Sequence, residues 1–123
     1  MIPYARHCIS KDDIQKVTKV LKNQNLTQGN ENILLEKKLT KILKCKYALT
    51  LNSSTSSLYL ACKALDIKKN DIVWTTPITF VASANCALTL GAKIDFVDID
   101  YNTNNICTKK LLKKLKKARK LPK

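Results

Sequence analysis

The chain has 123 residues, 45% of them hydrophobic, and a formal net charge of +14, which is enough material for one domain with one core. No apolar run approaches the roughly 20 residues of a membrane span, and the N-terminus Met1-Ile2-Pro3-Tyr4-Ala5-Arg6-His7 lacks a signal-peptide core, so a cytoplasmic protein is expected. Eight lysines and Arg119 fall within residues 109–123, leaving +5 on the first 108 (14 basic against 9 acidic), and Arg6 is the only other arginine. Such a lysine-rich balance reads as a solvated face, not as a nucleic-acid or membrane surface.

Five scattered cysteines (Cys8, Cys45, Cys62, Cys86, Cys107) form no Cys-x-x-Cys pair, and His7 is the one histidine. Reduced thiols are the simplest account, and no metal site is expected.

An extended arm, Ile2–Ala5, opens the chain. Ser10 is the expected N-cap of a helix with Asp12 and Asp13 in its first turn and Ile14, Val17 and Leu21 as its buried stripe. It stops in the polar segment Asn23-Gln24-Asn25-Leu26-Thr27-Gln28-Gly29. Asn30 or Asn32 then caps a second helix with apolar Leu35, Leu39, Ile42 and Leu43. Tyr47–Leu51 reads as a strand, followed by a hinge, Asn52-Ser53-Ser54-Thr55-Ser56-Ser57, and a helix with Leu58, Ala61 and Leu65 on one stripe. Cys62 sits near that stripe as a small hydrophobe. The hinge is either a capped helix start with a solvated linker or a phosphate receptor made of free N–H groups, dipole and hydroxyls.

Asp71–Thr75 reads as a second, buried strand, broken at Thr76-Pro77. Phe80–Leu90 is a helix with Val81, Ala84 and Leu88 on one stripe, closed by Gly91. Lys93–Val97 is the third strand. Thr108 caps a last helix, with Leu111, Leu112, Leu115 and Ala118 on one side. The alternation predicts an α/β fold with a mainly parallel sheet, and it places the 52–57 and 75–80 hinges beyond the same strand ends. A phosphorylated planar cofactor would use both, its phosphate at the helix start and its ring on Phe80; the other role for Phe80 is as a core residue.

Asn52–Leu58, Thr75–Asn85, Phe96–Asp100, Leu26-Thr27-Gln28-Gly29 and the arm with Tyr4 resemble, in order and spacing, the pyridoxal-phosphate sugar aminotransferases of the DegT/DnrJ/StrS family. The resemblance is strongest to the branch that aminates a UDP-4-keto-6-deoxy-N-acetylhexosamine in pseudaminic acid biosynthesis. It implies fold type I, the three-layer αβα large domain of the aspartate-aminotransferase type. Residues 1–45 would be its arm and helices, and residues 46–123 its βα units. It also implies that Ser54 and Thr55 hold the phosphate of pyridoxal 5'-phosphate and that Phe80 stacks on its ring. Tyr4, Gln24, Asn25, Leu26, Thr27 and Ser54 would face the UDP-sugar, glutamate would be the amino donor, and the enzyme would be a homodimer.

Family members are much longer, and none of the lysines here stands in the family's Schiff-base motif. In the family, Leu121-Pro122-Lys123 runs into a further strand. A truncated N-terminal piece is therefore expected, with an exposed sheet edge and no transaminase activity of its own. The competing reading is a small basic protein that binds an anionic membrane or RNA through Lys109–Lys123.

Overall fold

The computed structural model describes residues 2–23 and 25–118, in two compact units, Met1–Thr50 and Leu51–Lys123. Tyr47–Thr50 fall in the first of these units.

In the first unit α1 spans Lys11–Asn23 and α2 spans Asn30–Leu43. Ser10 starts α1 as its sequence predicts. Its Oγ accepts from the Asp13 N–H at 3.2 Å, while its own N–H and hydroxyl donate to Asp13 Oδ2 at 2.8 and 2.7 Å. This is a reciprocal capping box with Asp in the usual Glu position. These bonds, the backbone one first, hold the Asp13 carboxyl below its ordinary range.

The stripe of α1 is not buried: Ile14, Val17 and Leu21 are each more than half exposed, and among the described residues no helix packs closely along it. Neither Asn30 nor Asn32 caps α2. Gly29 holds the cap position with no side-chain bond, and Asn32 N–H reaches its carbonyl at 3.3 Å. Glycine is required there because a Cβ would sit 2.3 Å from the Asn25 carbonyl oxygen. Leu35, Ile42 and Leu43 are exposed and Leu39 half-buried.

Tyr47–Leu51 forms no ladder among the described residues, which corrects the predicted strand. Its alternation is present, with Ala48 and Thr50 half-buried and Tyr47 and Leu49 exposed. What is missing is a neighbour to accept and donate the ladder bonds. The segment is held instead by Glu36, whose Oε1 takes both the N–H and the hydroxyl of Thr50 at 2.8 Å.

The second unit contains α3 (Ser54–Ala64), β1 (Ile72–Thr75), α4 (Ala82–Leu88), β2 (Lys93–Phe96) and α5 (Thr108–Ala118). The strands β1 and β2 pair in parallel, from Ile72 beside Lys93 to Thr75 beside Phe96. They are joined through α4, as a crossover unit requires. Ala82, Cys86, Ala87, Ala92 and Val97 are buried, with Tyr59, Cys62, Ile67, Val73 and Ile94 packed on the Cys86–Ala87–Ala92 centre.

Two helix faces differ from their predicted stripes. The face of α3 that packs on α4 carries Tyr59 and Cys62, while Leu58 and Leu65 are exposed. In α4 the buried residues are Ala82, Cys86 and Ala87, while Val81 and Leu88 are exposed. Small side chains let the two helices approach, and none of these leucines is among the residues packed on the buried cluster. Phe80 and Val81 precede α4 as a turn and are not its first residues. Gly91 ends the α4 segment as predicted, at φ +83°. Its N–H reaches the Leu88 carbonyl (2.9 Å) and the Ala92 N–H reaches that of Ala87 (3.2 Å), the paired closure of a Schellman turn.

Thr108 lies inside α5, since the Cys107 carbonyl already accepts from Leu111 N–H at 2.9 Å. Leu111, Lys114 and Ala118 are half-buried, whereas Leu112 and Leu115 are exposed.

Candidate functional site

The hinge at 52–57 resolves into a capped helix start. Ser53, extended at φ −160°, ψ 157°, is the N-cap of α3, and its Oγ accepts from Ser56 N–H at 3.2 Å and lies 3.0 Å from Ser56 Oγ. Ser57 Oγ donates to the Ser53 carbonyl at 3.0 Å. Three of the hydroxyls are therefore engaged in making the turn. Ser54 and Thr55, the first two helical residues, are exposed, and neither their N–H groups nor their hydroxyls have a partner among the described residues. Two free N–H donors and two free hydroxyls thus stand together at the positive end of an 11-residue helix. That end carries about half an elementary charge and favours an anion.

The residues fit a phosphate. They offer only donors or amphoteric hydroxyls, and no acidic residue stands in the first turn of α3. The cap falls on Ser53 and the unpartnered donors on Ser54 and Thr55, different residues of the same turn.

Phe80 lies in the loop between β1 and α4 and is 74% exposed, outside the buried core of the described residues. Thr76 Oγ donates to the Ile78 carbonyl at 3.2 Å, Thr79 and Ser83 hydroxyls lie 3.2 Å apart, and Ser83 N–H reaches the Phe80 carbonyl at 3.0 Å. These bonds fix the loop that presents the ring. The expectation that both hinges follow sheet strands holds for this loop alone, since Tyr47–Leu51 forms no ladder.

Of the other predicted site residues, Tyr4 is fully exposed in the arm. Asn25, Leu26 and Thr27 are exposed in the α1–α2 connection, and Gln24 lies outside the described residues. All of these belong to the first unit, and Ser54, Thr55 and Phe80 to the second. The structure brings Ser54 and Thr55 together on one turn. A feature not foreseen is a groove of about 500 Å³ between α3 and α4, lined by Thr55, Ser56, Tyr59, Leu60, Asn85 and Cys86. Its sequence signal was the run of small residues Ala82–Ala87, which permits close helix packing but does not say which helix packs.

Two lysines of the basic helix α5 are paired with acids of the β2 region. Lys114 Nζ bonds Asp95 Oδ2 and the Phe96 carbonyl, both at 2.6 Å, and lies 5.7 Å from the Trp74 ring centre. Lys110 Nζ bonds Asp98 Oδ2 at 2.5 Å. These partners, first among the causes in each case, hold Asp95 and Asp98 below the ordinary carboxylate range. The indole N–H of Trp74 is buried and makes no hydrogen bond among the described residues. Residues 119–123, including Leu121-Pro122-Lys123 and the end of the basic stretch, lie outside the described residues. No described helix is long and apolar enough to cross a membrane.

Comparison with known proteins adds the larger context. The DegT/DnrJ/EryC1/StrS aminotransferase family matches residues 7–121. A UDP-4-amino-4,6-dideoxy-N-acetyl-beta-L-altrosamine transaminase of Campylobacter jejuni is 47% identical over 117 residues, 95% of this chain and 31% of that protein. Among solved structures, Helicobacter pylori PseC, an aminotransferase involved in the biosynthesis of pseudoaminic acid, superposes with a TM-score of 0.81 at 38% identity, covering 90% of this chain and 30% of that one. The PLP-form of Spr1654 from Streptococcus pneumoniae superposes with a TM-score of 0.84 at 27% identity, covering 91% of this chain and 29% of that one. The chain thus spans about a third of the length of the relatives it matches. Their fold is that of the type I pyridoxal-phosphate aminotransferases, of which the α/β unit with its parallel sheet is one part.

Proposed function

The chain belongs to the DegT/DnrJ/EryC1/StrS aminotransferase family, and from that membership we propose that its α3 turn holds the phosphate of pyridoxal 5'-phosphate in a sugar-nucleotide transaminase. The observation that carries the reading is the pair of unpartnered N–H groups and free hydroxyls at Ser54 and Thr55. A phosphate dianion there would accept up to four bonds from one turn, each charge-assisted bond contributing about 1.5–3 kcal/mol. Phe80, exposed and on a hydrogen-bonded loop, orients the ring by stacking. The cofactor, when bound, supplies the electron sink that lets an amino group move between donor and keto acceptor.

The proposed acceptor is the C4 keto group of a UDP-4-keto-6-deoxy-N-acetylhexosamine and the donor is glutamate, in a homodimer. The 47% identity to the Campylobacter jejuni transaminase supports this choice of sugar. Tyr4, Gln24, Asn25, Leu26 and Thr27 would contact the sugar nucleotide, with Ser54 shared between it and the phosphate. Residues 1–123 by themselves would bind without turnover, since none of their lysines occupies the family's Schiff-base motif.

A chimera tests this. Residues 7–121 replace the matching part of the Campylobacter jejuni transaminase, and amination of the UDP-4-keto sugar by glutamate is followed. Product formation is the expected result. A folded chimera that loads cofactor and ignores this substrate would overturn the sugar assignment. One that fails to load would overturn the phosphate assignment.

A further inference from the structure

The thiols of Cys62 on α3 and Cys86 on α4 lie 3.7 Å apart, 24 residues apart in the chain and across the packed face of the two helices. We propose that Cys62 and Cys86 form an oxidisable dithiol, closed to a disulfide by small disulfide oxidants such as glutathione disulfide, which ties α3 to α4. The proposal stands independently of the phosphate reading.

Three observations carry it. A disulfide needs its sulfurs at about 2 Å, so the thiols are already in contact and short of bonding by less than 2 Å. Cys86 is buried but lines the α3–α4 groove, which gives a small oxidant a route to it. Of the other cysteines, Cys8 and Cys45 are exposed and belong to the first unit, and Cys45 donates to the Tyr47 carbonyl.

The chemistry balances. One thiolate attacks a sulfur of glutathione disulfide, expelling one glutathione and leaving a mixed disulfide on the protein. The neighbouring thiolate attacks the protein-side sulfur, closes the Sγ–Sγ bond and expels the second glutathione. Two protein thiols are oxidised by two electrons, the oxidant is reduced by two, and the thiol protons end on the two glutathiones.

Burial, followed by the Cys86 thiol beside it, pushes the Cys62 thiol above its ordinary range. Where Cys62 is the attacking thiol, closure is therefore slowed at neutral pH, and its rate rises about tenfold per pH unit below that range.

The test oxidises the folded, purified protein with glutathione disulfide, blocks the remaining thiols with iodoacetamide, and maps tryptic peptides without reduction. The expected product joins Tyr47–Lys63 to Asn70–Lys93, the peptides that carry Cys62 and Cys86. C62S is expected to stop at a stable glutathione adduct on Cys86. Free Cys62 and Cys86 after oxidation, or their linkage mainly to Cys8, Cys45 or Cys107, would overturn the proposal. So would a Cys62–Cys86 link that forms only in urea. The wild-type map decides even if a variant fails to fold.

Discussion

Ser53 and Ser54 are adjacent, identical in chemistry and exposed, yet the structure assigns them opposite work. Ser53 Oγ satisfies the Ser56 N–H, while the Ser54 N–H and hydroxyl have no partner among the described residues. Replacing Ser53 by alanine removes an N-cap, which costs about 1 kcal/mol within a range of roughly 0.5–2. With a urea slope of about 1 kcal/mol/M for a unit this small, the unfolding midpoint falls by about 1 M. Trp74, the sole tryptophan, lies in the same unit as α3 and reports the transition. Ser54→Ala removes an exposed hydroxyl, so its midpoint moves by less than about 0.5 kcal/mol equivalent. It forfeits one charge-assisted bond to phosphate, about 1.5–3 kcal/mol, or roughly 10- to 150-fold in the affinity for pyridoxal phosphate. The two variants should therefore separate stability from binding. Equal destabilisation by both, or tighter dependence of phosphate binding on Ser53 than on Ser54, would refute the division of labour within the turn.

Phe80→Leu should leave the urea midpoint within about 0.5 kcal/mol, because the ring is 74% exposed. It should weaken pyridoxal phosphate binding by roughly 2- to 10-fold through lost stacking, measured by equilibrium titration. Gly29→Ala forces a Cβ to within 2.3 Å of the Asn25 carbonyl oxygen, which is backbone and cannot swing away. A cost of about 1–3 kcal/mol and a loss of helical circular dichroism are expected; an unchanged spectrum and midpoint would count against the tight turn. Asp95 is depressed by its bond to Lys114 and then by the Phe96 N–H. Its stabilising contribution is thus present above the ordinary aspartate value of 3.8 and lost as pH falls through the lower folded value. An acid transition in Trp74 fluorescence below about pH 4 that vanishes in Asp95→Asn is the expected result.

Local signals in the sequence are dependable where a short segment decides its own geometry. Ser10 with Asp13, and Gly91 with its positive φ, need only their own neighbours to act. The packed faces were less legible. Apolar periodicity marked Leu58, Ala61 and Leu65 on α3, but α4 meets Tyr59 and Cys62, because its own contacting residues are alanines and a cysteine. Bulk hydrophobicity cannot reveal which side of a helix a small-residue neighbour will take. The Tyr47–Leu51 strand failed for another reason: its alternation is real, but a ladder needs a second strand, and its propensity says nothing about where that strand is. In the candidate site, the hydroxyl-rich helix start was legible, while the split between Ser53 as cap and Ser54 and Thr55 as free donors depends on one backbone conformation.

The buried centre of the second unit consists of three alanines, a cysteine and a valine, and no described residue of the first unit is fully buried. Such a centre returns little apolar surface to water on melting. A 123-residue chain ordinarily shows a heat-capacity step of about 1.5–1.8 kcal/mol/K. A calorimetric scan of this chain should show a markedly smaller one, with a broad endotherm and a shallow dependence of stability on temperature. Cooling would then weaken it little, and modest warming would melt it gradually.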